Sequence, residues 1–219
     1  MGSRQSFDKS LSELKEQTLQ LGSMVKDRIY HSVESLKTQD LELANQIITG
    51  DLEINELQSA IEDKCIHLIA TQQPLAKDLR KIVAALKIGI YLERMGDLSV
   101  DIAKVTVRLG ESKQIKPLID IPRMADLVVD MINKGLTASM DENVEAAREM
   151  ALLDDQVDHL YAQIFRELLI FMMEDPKIIN QSTYLIFAAR FLERMGDYCT
   201  NIAEEVEYIV RGKRSDLNM

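Results

Sequence analysis

The sequence predicts an all-α fold, a tandem pair of antiparallel three-helix bundles. Three observations carry this. Apolar residues recur at spacings of three and four along nearly the whole chain, the stripe of amphipathic helices packed side by side. Gly (9) and Pro (4) are too few for the many turns of a sandwich or barrel. A hexapeptide, Leu92–Asp97, recurs letter for letter as Leu192–Asp197, so the chain contains an internal duplication.

The first row, through Phe7, Leu11, Leu14, Leu21 and Val25, predicts a helix ending near Thr38. Asp40 is placed to cap the second, which carries Leu43, Ile47, Ile54, Leu57, Ile61 and Leu68. Pro74 suits the start of a third, with Leu75, Leu79, Ile82, Leu86, Val100, Ala103 and Val107 on its stripe. Each helix should run about 30 residues, or roughly 45 Å. Gly110–Pro122, with two prolines, reads as a linker. Beyond it helices are expected over Arg123–Met140, Asn143–Met173 and Asn180–Arg211. Short connections make sequential neighbours antiparallel. The domain boundaries fall at 1–110 and 118–214.

Composition narrows the function. With 36 acidic and 26 basic residues the formal charge is −10, a surface that repels nucleic-acid phosphates. Cys65 and Cys199 lie in apolar-periodic stretches and form no CxxC pair, so they read as reduced core residues. No signal-peptide core and no run long enough for a membrane span are present, which predicts a cytoplasmic protein. No G-x-S-x-G and no phosphate-cradling glycine loop occurs. The histidines, His31, His67 and His159, lack the Glu-x-x-His pairing of ferritin-type di-metal oxidases.

The acidic residues are patterned. Glu93, Asp97 and Asp101 stand at i, i+4, i+8 and share a helix face; Glu193, Asp197 and Asn201 repeat the ladder. Like charges so spaced destabilise a bare helix by about 0.2–0.5 kcal/mol per pair, so something should offset them. Arg94 and Arg194, each three residues before an Asp, are candidates, with Lys87 nearby. An offset of 103 pairs Asp27 with Asp130, Asp51 with Asp154 and Asn55 with Asp158. Counting from the shared turns puts Asp27, Asp51, Asn55, Glu93 and Asp97 at one height of the first bundle. Asp130, Asp154, Asp158, Glu193 and Asp197 fall at one height of the second. Carboxylates gathered at one level call for a cation, and oxygen donors suit magnesium, calcium or manganese and can hold iron or zinc. The alternative is a solvated acidic face neutralised by the nearby Arg and Lys side chains. Gly96 and Gly196, in mid-helix, imply a close helix approach or room for a metal.

These residues resemble the PhoU family of bacterial phosphate-signalling regulators. The resemblance rests on the duplicated LERMGD within an E/D-xxx-D pattern, on QQPLAKDLR (Gln72–Arg80) and on FDKSLSEL (Phe7–Leu14). It implies two three-helix bundles related by pseudo-symmetry. It also implies metal clusters of iron, zinc, manganese or magnesium on Glu93, Asp97, Glu193 and Asp197. Asp101 matches an extension that Asn201 breaks. The resemblance further implies a cytoplasmic, dimeric, non-enzymatic negative regulator of phosphate uptake. Such a regulator couples a phosphate ABC transporter, through its nucleotide-binding subunit, to a sensor histidine kinase, and meets the membrane only through these partners. A helical scaffold without functional metal and a ferritin-like di-metal oxidase are the alternatives.

Overall fold

The computed structural model describes residues 2–50, 52–213 and 217, with side chains from Gln5 onward. Among the described residues every regular element is helical: α1 (Gly2–Thr38), α2 (Leu41–Thr49), α3 (Leu52–Gln72), α4 (Ala76–Leu109), α5 (Asp120–Asp141), α6 (Val144–Ala151), α7 (Asp154–Glu174) and α8 (Ile179–Arg211). A 3-10 turn, Pro176–Ile178, leads into α8. No helix is long and apolar enough to cross a membrane among these residues.

Helix starts follow local chemistry. Asp40 accepts from the Leu43 N–H at 2.9 Å, and its counterpart Asn143 accepts from Ala146 N–H at 3.0 Å, satisfying donors that the first turn leaves open. Asp175 caps the 3-10 turn through Lys177 N–H, with Pro176 at its first position. The linker is shorter than expected. Helix α5 begins at Asp120 and takes Pro122 into its first turn, where a missing N–H costs nothing.

The middle helix of each half is broken, contrary to the expectation of one helix of about 30 residues. The first breaks between Thr49 and Leu52, the second between Ala151 and Asp154. The core stripe keeps its phase across both breaks, from Ile47 to Ile54 and from Met150 to Val157, so periodicity does not reveal them. The stripe position between those flanks holds Asp51 in one half and Asp154 in the other.

One hydrophobic core runs through both halves, from Leu14, Leu21 and Ile29 of α1 to Leu192, Met195 and Ile202 of α8. The most extensive packing joins α4 to α8. Tyr91 stacks on Tyr198 with centroids 6.0 Å apart, Lys87 bonds Glu205 at 2.8 Å, and the Arg80 Nε–H donates to Ile209 O at 3.1 Å. Residue numbers rise on one helix as they fall on the other, so the pair is antiparallel. Helices α1 and α5 cross similarly, with Lys26 donating to Asn133 Oδ1 at 2.5 Å. A small satellite cluster of Ala44, Ile47, Val100 and Ala103 holds α2 against α4.

Candidate metal centre

The break before α7 positions the centre of the second acidic cluster. It makes Asp154 the first residue of α7, with its carboxylate turned toward α8. There Gly196 admits it: a Cβ at 196 would collide with Asp154 Oδ1. Gly196 is therefore a close-approach glycine whose neighbour is a carboxylate. Gly96 is different, since a Cβ there would meet the Ile54 side chain at 3.3 Å, which is helix packing alone.

Around Asp154 stand Asp158, one turn on along α7, and Glu193 and Asp197 from α8. Burial first, and then the negative charges of Asp158, Asp197, Glu193 and Asp155, together raise the Asp154 carboxyl to about 7. Glu193 is raised by burial and by Asp197, against the pull of Arg190. Asp197 is raised by burial and by Asp158, against Arg190 and Arg194. These four carboxylates thus lie in one another's field. Glu193 is nearly buried, and its Oε1 accepts from Arg190. Its second oxygen, Oε2, and Asp154 Oδ1 are buried without a hydrogen-bond partner. Buried, unsatisfied carboxylate oxygens are costly unless a donor or cation reaches them.

The remaining expected ligands divide. Asp130 turns to Lys134 on its own helix at 2.6 Å, and Asp101 to Lys104 at 2.8 Å. Asp27 is exposed, and Asn201 is half-buried on α8 beyond Asp197. In the first half Glu93 and Asn55 are half-buried and Asp97 is exposed. Asp51, the counterpart of Asp154, lies outside the described residues.

The compensating charges also differ from expectation. Lys87 is committed to Glu205, and the main counter-charge to the second cluster is Arg190, with Arg194 a lesser contributor at Asp197. The signal for Arg190 was present in its position three residues before Glu193. Its counterpart in the first half is Ile90, so the two clusters are not electrostatic copies. Two further acids, Glu205 and Glu207, are buried on α8; Arg148 of α6 and Arg211 hold Glu207.

The donor set of the second cluster is all oxygen and carries excess negative charge, which fits a hard cation. Among the described residues, no three Asp, Glu, His or Cys side chains are gathered tightly enough to hold an ion as they stand. A bound ion would need these side chains to draw closer together, with Glu193 offering the oxygen that Arg190 leaves unpartnered.

Comparison with known proteins bears on the whole chain. A model of the PhoU domain matches residues 18–106 and again residues 121–206. The chain is 43% identical over 216 residues to a phosphate-specific transport system accessory protein PhoU homolog of Clostridium acetobutylicum, covering 98% of this chain and 99% of that protein. The homolog of Aquifex aeolicus is 39% identical over 186 residues, 85% of this chain and 84% of its own length. The crystal structure of PhoU from Pseudomonas aeruginosa superposes with a TM-score of 0.89 at 34% identity, covering 94% of this chain and 100% of that one. The phosphate transport system regulatory protein PhoU from Streptococcus pneumoniae gives 0.89 at 33% identity, with coverages of 96% and 99%. One domain matched twice, once over each half that carries the repeated hexapeptide, shows that this chain belongs to the PhoU family.

Proposed function

We propose that this chain is a regulatory adaptor of a phosphate-specific transport system, not an enzyme, and that it binds a cation through its acidic clusters. The observation that carries the metal reading is the pair of buried, unpartnered oxygens, Asp154 Oδ1 and Glu193 Oε2, amid four mutually repelling carboxylates. Asp154, Asp158, Glu193 and Asp197 would hold the ion in the second half. Asp51, Asn55, Glu93 and Asp97 would do so in the first, with Asp27, Asp101, Asp130 and Asn201 as outlying donors. A bound iron, zinc, manganese or magnesium ion supplies positive charge that lets the clustered carboxylates stay ionised. The relatives' names support a place beside a phosphate transporter. Long helical faces suit docking on its nucleotide-binding subunit and on a sensor histidine kinase, as a cytoplasmic homodimer that restrains phosphate uptake.

A second reading is a helical scaffold without functional metal. It is favoured by Arg190, which already neutralises part of Glu193. One experiment separates the two: elemental analysis of protein purified without a metal-affinity column, beside the Glu193→Ala/Asp197→Ala variant. Metal in the parent and its loss in the variant support the adaptor with a resident cation. Equal traces in both favour the scaffold. Adaptor function itself is tested by co-purification with the nucleotide-binding subunit and the kinase at high and low phosphate. No association at either level, with unaltered phosphate-regulated expression on deletion, would overturn it.

A further inference from the structure

The duplication yields two equivalent positions where the halves meet, and only one of them is filled. At one end Leu36, Gln39, Leu109, Gln181 and Leu185 close around linker residues Gln114, Ile115 and Leu118, leaving a void of only about 10 Å³. At the other end the counterparts Ser139, Glu142, Ile209, Lys81 and Ala85 surround a cavity of about 250 Å³. The counterparts follow from the offsets of 103 in α1/α5 and 100 in α4/α8 that align the repeats.

Aliphatic side chains are lost at four positions, while at a fifth the open end has Leu11 where the closed end has Gln114. Leu36, Leu185, Ile115 and Leu118 fill the closed end; Ser139, Ala85, Ser12 and Lys15 stand in their places at the open one. Aliphatic bulk has been removed while the walls remain. Leu14, Ile88 and Ile209 form a floor of buried side chains. Polar groups stand at the rim. Lys15 Nζ donates to the Met140 carbonyl at 3.3 Å. Lys81 and Lys77 hold the two oxygens of Glu142 at 2.6 and 2.5 Å, so one carboxylate answers two lysines. Lys15 Nζ faces a neutral carbonyl, and the wall also carries one further carboxylate, Asp8, two turns before Lys15 on α1. Preformed concave sites with an apolar body and a few convergent polar groups are the usual form of small-ligand pockets.

We propose that this cavity binds a small amphipathic anion, an aliphatic chain of about six to eight carbons with a carboxylate head. The chain takes the volume that the leucines and isoleucine fill at the other end. The carboxylate pairs with Lys15, with the Ser12 and Ser139 hydroxyls within the same wall. Because α1 and α4 come from one half and α5 and α8 from the other, an occupant ties the halves together.

The test uses the full chain with hexanoate and octanoate as probes, read by ligand-observed NMR and by thermal shift. Saturable binding and a raised melting temperature are expected. Ala85→Leu restores the side chain of the closed end; it should abolish binding while leaving the melting temperature unchanged or higher. Ser139→Leu fills the cavity from α5 and should act likewise, which guards against one variant failing to fold. Lys15→Ala should weaken octanoate about fivefold and leave the uncharged octanol unaffected. Binding that survives both filling variants, an octylammonium affinity equal to that of octanoate, or no binding at millimolar probe overturns the proposal.

Discussion

Replacing Asp154 with Asn in protein stripped of metal by a chelator should stabilise it. The carboxyl stands near 7 in the fold against an ordinary 3.8. The folded state therefore prefers the protonated form. Its favourable contribution is complete below pH 3.8, fades as the pH rises to about 7, and leaves a constant deficit above that. At about 1.4 kcal/mol per pH unit the deficit is at most about 4 kcal/mol. Water reaches part of the group, and screening reduces this to roughly 2 kcal/mol. Losing a negative charge from the first turn of α7 takes back about 0.5 kcal/mol. The net gain, about 1.5 kcal/mol, corresponds to a rise in Tm of about 3–6 °C at this chain length. Circular-dichroism melts in chelator at about pH 4 and about pH 8 measure it, with parent and variant equal at the lower pH and separated at the higher. Adding manganese or magnesium should reverse the order, because the parent gains stability by mass action and the variant loses a ligand. A variant that melts below the parent at about pH 8 in chelator, or a difference that does not change with pH, refutes the account of Asp154 as a buried charge awaiting a cation.

Two further outcomes follow from the geometry. Gly196→Ala should cost about 1–3 kcal/mol and lower metal content, because its Cβ displaces Asp154, whereas Gly96→Ala meets Ile54 and should be near neutral once helix propensity is counted; chemical denaturation of both separates them, and equal losses would count against the distinction. At Glu142 burial pushes the carboxyl up, but Lys77 and Lys81 outweigh it and hold it below the ordinary range. Its stabilisation should thus be present above 4.5 and be lost as the pH falls through its depressed folded value. Glu142→Gln should cost about 1 kcal/mol near neutral pH and almost nothing in strong acid, as acid-unfolding curves would show.

Much of the architecture was legible in the chain. Spacings of three and four, Asp40 and Asn143 before their helices, and the doubled LERMGD lead to paired helical bundles without coordinates, because burial of one face and capping of a first turn are local demands. The acidic cluster was legible in outline, since Glu193, Asp197, Asp154 and Asp158 follow from counting along antiparallel helices. The two helix breaks were not, because the apolar stripe stays in phase through them; the available signs were an aspartate on the core stripe of each half and, in the first, Gly50 at the C-terminal cap of α2. Periodicity also says nothing of how far a helix face turns, so Asp101 and Asp130 met lysines on their own helices.

Composition, periodicity and repetition by themselves determined the helical class, the duplication and the acidic character of the clusters, all of which are written in residue identities and spacings along the chain. Only the packing of α4 against α8 and of α1 against α5 decided the rest. It selected Arg190 as the counter-charge, buried Asp154 against Gly196, merged two repeats into one core and left one of two equivalent junctions hollow. Those outcomes depend on which atoms from distant segments compete for the same space and the same charge, and no linear spacing encodes that competition.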